Sequence, residues 1–242
     1  MKALIHFYSI SQARELAIEL IPFGIESFKT SSTEDVIIIL SKEPDIKILI
    51  TENYEYDFLK KTKEINSDLI IYLLISRLIE TEKFLTLREI AINSCITFNN
   101  NIQEVADELV TSIIKTNIKI NEKRHFLRIT PPEIDNFEAT ILHKAKKNYI
   151  RGKVLNISMG GFAMVPFKTE NIFDLELLKS YDPVFLSFQG FQLKTVSTLL
   201  AIRNKICAFR FDNIETLDRR RLASYIHDKL EEKTKELLQI TT

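Results

Sequence analysis

Cysteine is scarce in this 242-residue chain, which has only Cys95 and Cys207. Neither has a second cysteine or a histidine at metal-ligand spacing, which argues against zinc. Each lies in an apolar run, where a cysteine serves as a small buried hydrophobe. No run of about 18 apolar residues occurs, so no membrane-spanning helix is expected. The N-terminal stretch Met1–Phe7 is too short in apolar residues for a signal peptide. The expectation is a soluble cytoplasmic protein with reduced thiols. The four histidines, His6, His125, His143 and His227, lack a carboxylate or nucleophile at catalytic spacing, so core or surface roles are expected for them. Glycine is also rare, with five in all, and Gly152, Gly160 and Gly161 fall within ten residues of one another. Bare backbone is therefore concentrated at one place.

Charge balances overall but not locally. Residues 1–116 hold 12 Lys/Arg and 18 Asp/Glu, a net of −6, and the remainder holds 21 and 15, a net of +6. The second half is the better host for an anion. Length allows two ordinary domains, and the 45% hydrophobic content supplies their cores.

The first half alternates short apolar runs with helical spacing. Strands are expected at Ala3–Phe7, Ile25–Lys29, Ile46–Thr51, Leu69–Ser76 and Cys95–Phe98. Helices are expected at Ser11–Leu20, Thr33–Lys42, Asp57–Ile65, Glu80–Ile92 and Ile102–Ile120, the last with Ile102, Val105, Leu109, Ile113 and Ile114 on one stripe. The Val36–Leu40 run is ambiguous, and the capping signal Ser32-Thr33-Glu34-Asp35 favours helix. Repeated βα order implies a parallel sheet covered on both faces.

Five βα units in about 115 residues resemble the receiver domain of two-component response regulators, a flavodoxin-like fold. The resemblance is in rhythm rather than motif. A receiver places acidic residues after its first strand, where this chain reads His6-Phe7-Tyr8-Ser9. It places an aspartate at the end of its third strand, where this chain has Ile50 or Thr51, with Glu52 nearby. Ser76 matches the family's Ser/Thr, but Phe98-Asn99-Asn100-Asn101 stands where a lysine belongs. Phosphoryl transfer to a carboxylate needs the nucleophile, a carboxylate-held cation and a positive partner together. The reading is a pseudo-receiver that serves as an interaction or dimerisation module, with a small-ligand sensor as the alternative.

Pro131-Pro132 stop the helical pattern, and the period changes to two. Strands are expected at Phe137–His143, Tyr149–Leu155, Phe162–Phe167, Val184–Phe188, Gln192–Ile202 and Lys205–Phe211, followed by a helix over Glu215–Leu238. Six strands without an intervening helix read as an antiparallel barrel. The fold class is thus α/β plus all-β, with domains at 1–120 and 121–242.

Two short motifs point to a ligand. Arg124 and Arg128 form Arg-x-x-x-Arg, and Asn156-Ile157-Ser158-Met159-Gly160-Gly161 forms Asn-x-Ser-x-x-Gly 28 residues on. Guanidinium groups pair with phosphate oxygens or with the O6/N7 edge of guanine, and they stack on purines. Asn156 suits a base edge, Ser158 adds a hydroxyl, and Gly161 lets the backbone turn or approach a ring. Lys123, Gly160 and Arg151 are additional candidates. Taken singly, an arginine pair is usually solvated and an Asn-x-Ser turn usually structural.

With the barrel pattern around them, the motifs make residues of roughly 122–230 resemble a PilZ domain. The resemblance implies a six-stranded barrel that binds cyclic di-GMP through Arg124, Arg128, Asn156, Ser158 and Gly161. It implies an effector with no catalytic residue, metal or cofactor. The arginine segment joins the two domains, so the ligand is expected to order it and fix their arrangement. A protein partner at the receiver-like domain and a homodimer are the partner expectations. The alternatives are a nucleic-acid-associated regulator, for which Arg219-Arg220-Arg221 and the basic second half speak, and a docking module that binds no nucleotide. An enzyme is disfavoured by the missing acidic cluster.

Overall fold

Side-chain oxygens cap three helices of the first half, those that Ser9, Ser32 and Asn101 precede. The structure is a computed structural model describing residues 1–76, 87–98, 101–116, 126–143 and 147–238. Ser9 caps α1 (Ile10–Leu20) by accepting from the Gln12 amide at 3.4 Å. Ser32 caps α2 (Thr33–Lys42) by accepting from the Asp35 amide at 3.2 Å. The cap resolves the ambiguous Val36–Leu40 run as helix, with Val36, Ile39 and Leu40 buried and Ile38 exposed. Next come α3 (Tyr56–Ile65) and α4 (Ile102–Lys115), the latter capped by Asn101.

These helices flank five parallel strands: β1 (Lys2–His6), β2 (Glu26–Thr30), β3 (Ile46–Thr51), β4 (Ile70–Ile75) and β5 (Ser94–Thr97). Their order, β2-β1-β3-β4-β5, is the flavodoxin-like one expected of a receiver-like domain. Alternation along the strands fills both faces. Ala3, Ile5, Ile48, Ile50 and Tyr72 pack with α1 and α4. Leu4, Leu49, Ile71 and Leu73 pack with α2 and α3.

Two expected helices differ. α4 ends at Lys115, and Ile114 is exposed rather than on the buried stripe, because Val110 and Ile113 complete that stripe. Residues 117–120 lie outside the described residues. Of Glu80–Ile92, residues 80–86 lie outside them too. In the described remainder Leu87 is helical and Arg88–Ile90 form a 3-10 turn, followed by Ala91 at φ 55°.

The second half forms the expected six-stranded antiparallel barrel. Its strands are β7 (Glu138–His143), β8 (Asn148–Ser158), β9 (Gly161–Pro166), β10 (Ser180–Phe188), β11 (Phe191–Arg203) and β12 (Ile206–Ile214), preceded by the short β6 (Arg128–Ile129). The ring runs β8-β7-β10-β11-β12-β9 and closes through β9 on β8, while β6 pairs on β8. Two-residue turns at Gln189-Gly190 and Asn204-Lys205 hold positive φ at both positions, as tight hairpins require. Ile141, Ile150, Val154, Ile157, Phe162 and Phe209 fill the interior.

A helix, α5 (Thr216–Leu238), follows the barrel. It buries Leu222, Ala223, Tyr225 and Ile226, and the Tyr225 ring meets Phe137 and Phe188. The Tyr225 hydroxyl donates to Asp135 Oδ2 at 2.7 Å. The chain divides into two compact units, Met1–His125 with Leu230–Thr242, and Phe126–Lys229. No helix among the described residues is long and apolar enough to cross a membrane.

Candidate functional site

Antiparallel pairing brings Arg128 of the first motif beside the second motif on the barrel. β6 pairs with β8 so that Arg128 lies opposite Ser158 and Ile129 opposite Ile157. Directly opposed residues share a face. Ile129 and Ile157 point into the core, so Arg128 and Ser158 belong to the outer face. Arg128 is exposed, and among the described residues no carboxylate pairs with it. Lys123 and Arg124 lie outside the described residues, as does His125.

A bulge decides where Asn156 points. Val154 opposes Met164 and Asn156 opposes Ala163, so Leu155 is an extra residue in β8. Before the bulge, Ile150, Gly152 and Val154 face inward. After it the phase shifts, Ile157 becomes the inward residue, and Asn156 and Ser158 share the outer face. Asn156 is half-buried there.

The turn between β8 and β9 is held internally. Ser158 Oγ donates to the Gly161 carbonyl at 3.2 Å and accepts from the Gly160 amide at 3.3 Å. The buried serine therefore shapes the turn. A Cβ on Gly160 would lie 2.4 Å from the Phe126 ring, so the missing side chain leaves room for Phe126. Phe126 precedes Arg128 by two residues, and its ring packs on the turn at Gly160. A Cβ on Gly161 would lie 2.0 Å from the Phe209 carbonyl oxygen, and the φ of Gly161 is 156°. What approaches Gly161 closely is the backbone of β12.

Arg151, an additional candidate, is not brought to this place. It lies five residues before Asn156 along β8, ~16 Å at strand rise. It also pairs with Glu138 at 2.6 Å.

Residues that the sequence reading did not single out continue the row. Arg210 lies opposite Gly161, Thr198 opposite Arg210, and Ser180 opposite Thr198. One rung thus reads Arg128, Ser158, Gly161, Arg210, Thr198 and Ser180 across β6, β8, β9, β12, β11 and β10. The neighbouring rung is Asn156, Ala163, Ala208 and Ala201, all short. Asp212, in a bulge of β12, accepts from Thr198 Oγ1 at 2.6 Å and Ser180 Oγ at 3.2 Å. It also accepts from Nε and Nη2 of Arg210 at 3.3 and 3.0 Å. Burial works to raise the Asp212 pKa, but hydrogen bonds from Thr198, Arg210 and Ser180 outweigh it and hold the group below its ordinary value. The outward phase of Ala208 and Arg210 in β12 was the available sequence signal, but pairing partners are not written in local sequence.

The carboxyl ends of the parallel strands offer a different surface. His6 is buried and its Nδ1 lies 2.9 Å from Thr51 Oγ1. Burial is the main reason that its pKa is lowered, against the Ser31 backbone and Glu34, which raise it. Glu52 accepts from the Tyr8 amide at 3.0 Å. Ser76 is exposed just past β4. A buried imidazole and a threonine thus stand where a receiver needs carboxylates, and Glu52 is engaged by backbone. His143 and His227 are buried as well, as is Cys207, whereas Cys95 is only half-buried.

Residues 122–228 match the family model of the PilZ domain. Residues 122–228 are a PilZ domain. The match takes in both motifs, all seven strands from β6 to β12, and most of the described turns of α5. No curated protein matches the chain. Among solved structures it is similar to the PilZ domain with c-di-GMP of YcgR from Escherichia coli, at 18% identity, covering 49% of this chain and 99% of that one, with a TM-score of 0.40. It is similar to the K. pneumonia MrkH–c-di-GMP complex, at 18% identity over 47% of this chain and 55% of that one, with a TM-score of 0.42. An orphan response regulator of H. pylori matches at 15% identity over 47% of this chain and 96% of that one, also with a TM-score of 0.42. The family assignment rests on the domain match and not on these likenesses.

Proposed function

We propose that this protein is a cyclic di-GMP effector whose PilZ domain takes the ligand on the outer face of the barrel. Arg124 and Arg128 grip it, while Asn156 reads a base edge beside the Ser158–Gly161 turn. The observation that carries this reading is the β6–β8 register, which sets exposed Arg128 beside the Asn-x-Ser-x-x-Gly turn. Lys123 adds positive charge at the same approach. The reading assigns no catalytic residue, and the receiver-like unit, without an acidic cluster at His6 and Thr51, serves a partner or a second copy. Because the arginine segment links the two units in sequence, an anionic ligand that orders it alters how they present a partner surface. That coupling is no larger than the ligand's differential affinity for the two arrangements.

Titration calorimetry of the full chain with cyclic di-GMP tests the proposal. Binding at about micromolar affinity or better is expected, with a loss of at least tenfold in Arg124→Ala and in Arg128→Ala. Binding that survives both substitutions places the site elsewhere, and no binding by the native chain ends the proposal.

A second reading, a docking module without nucleotide, has one observation in its favour. Ser158 and Gly161 have structural duties in the turn and against β12 that preserve those two motif positions without any ligand. It gives no role to exposed Arg128, which is why the first reading is preferred.

A further inference from the structure

We propose that Arg210 is a third arginine of the ligand site, and that it reads the O6/N7 edge of one guanine. The inference rests on the cyclic di-GMP reading above and names a further residue of that site.

Three features of the barrel support it. First, Arg210 stands opposite Gly161, in the same outward row as Arg128 and Ser158. Three strand spacings separate the two arginines, ~14 Å of arc. Between them the row holds only the small Ser158 and Gly161, with Asn156 and Ala163 alongside and the Phe126 ring at the Gly160 edge. A ligand with two bases can meet both arginines, whereas a mononucleotide has one base to offer.

Second, the guanidinium is held before any ligand arrives. Asp212 takes its Nε and Nη2, and Thr198 and Ser180, members of the same row, hold Asp212 in turn. The pair is mostly solvent-exposed on the arginine side, at 59% against 25% for the aspartate. An exposed pair of this kind adds little to stability, so its consequence is a fixed orientation. Of five N–H donors on an arginine, two are engaged here and three remain, including a pair that can meet two acceptors side by side.

Third, charge separates the tasks of the two arginines. A phosphate is attracted by uncompensated positive charge, and Arg128 supplies it. Asp212 compensates Arg210, which makes that group a poor phosphate anchor but leaves its directional donors intact. Guanine is neutral and offers O6 and N7 as adjacent acceptors. The compensated arginine therefore suits the base.

The test is calorimetry of the full chain with cyclic di-GMP at two salt concentrations, using Arg128→Ala, Arg210→Ala, Arg210→Lys and Asp212→Asn, with thermal melts alongside. Arg210→Ala is expected to weaken binding about ten- to hundredfold, the range for losing a bidentate base contact, with an unchanged melt. Its salt dependence should stay parallel to that of the native chain, whereas Arg128→Ala should flatten it. Arg210→Lys, which keeps the charge but not the fork, should remain weak. Asp212→Asn should weaken binding and steepen its salt dependence, because Arg210 then carries uncompensated charge. Should Arg210→Ala fail to fold, the lysine and asparagine variants carry the test.

A native chain that does not bind overturns both the functional reading and this one. Loss in Arg128→Ala with Arg210→Ala within twofold of native overturns the role of Arg210 alone. Full rescue by lysine, or a flattened salt dependence in Arg210→Ala, overturns the assignment to a base.

Discussion

Replacing Gly161 with alanine should damage the barrel more than any other glycine-to-alanine change on an open face. The added Cβ would lie 2.0 Å from the Phe209 carbonyl oxygen and 3.0 Å from Arg210 Cα. Both are backbone atoms, so neither can rotate away. Ordinary contact begins near 3.4 Å, so β9 must withdraw from β12 by roughly 1.4 Å. That motion breaks one or two ladder hydrogen bonds, at about 1 kcal/mol each. The φ of 156° adds about 1–3 kcal/mol for an L residue. The total is about 2–5 kcal/mol. For a unit the size of Phe126–Lys229 this lowers the melting temperature by about 10–25 °C. Differential scanning calorimetry of the full chain measures the shift, and hydrogen exchange at the Phe162 and Phe209 amides assigns it to the barrel. Gly190→Ala is the control: its Cβ meets nothing within 4 Å, and only its φ of 77° opposes the change. That control should cost about 1–2 kcal/mol. A Gly161→Ala melt within about 3 °C of native, or one milder than Gly190→Ala, would refute the close-approach argument.

Two further outcomes follow from buried groups. Asp135 is a buried carboxylate that accepts from Tyr225, Gln189 and Lys229. Burial raises its pKa, but those partners outweigh burial and leave it below the ordinary 3.8. The unfolded chain therefore takes up this proton first as pH falls. The stabilisation is full above about pH 4 and is lost as pH drops through the folded value. Acid titration of the melting temperature should show Asp135→Asn destabilised at pH 7, by about 1–3 kcal/mol, and the gap closing below pH 4; a gap independent of pH would count against it. Burial pushes the Cys207 thiol up to about 11. A thiol reagent at pH 8 should thus label Cys207 only after unfolding, and rapid native labelling at that residue, located by peptide mapping, would contradict its burial.

Much of the fold was legible because it is written in local period. Cap residues such as Ser32 and apolar spacing identified α2 despite five consecutive β-branched or leucine residues, and alternation identified all six barrel strands. The end of α4 was not legible, since Ile114 continues an apolar run without continuing the buried face. The roles of Ser158 and Gly161 were only half legible. A serine and a glycine in a turn suit a ligand as well as they suit the turn, and only the Ser158 hydrogen bonds and the approach of Phe209 separate the two uses. Arg210 read only as part of a barrel strand, because a single arginine on an alternating strand resembles any solvated residue.

By itself the sequence determined the order of elements, the change from a βα rhythm to an alternating one, and the two motifs with their residue types. These depend on spacing within a few residues, through helical and strand period and the conformational freedom of glycine. Tertiary structure alone decided that Arg128, Ser158, Gly161 and Arg210 form one row. Those residues are up to 82 positions apart in the chain, and strand register and barrel closure set their neighbours. A single extra residue, Leu155, sets which face Asn156 presents, because the strand period is two and a bulge reverses it.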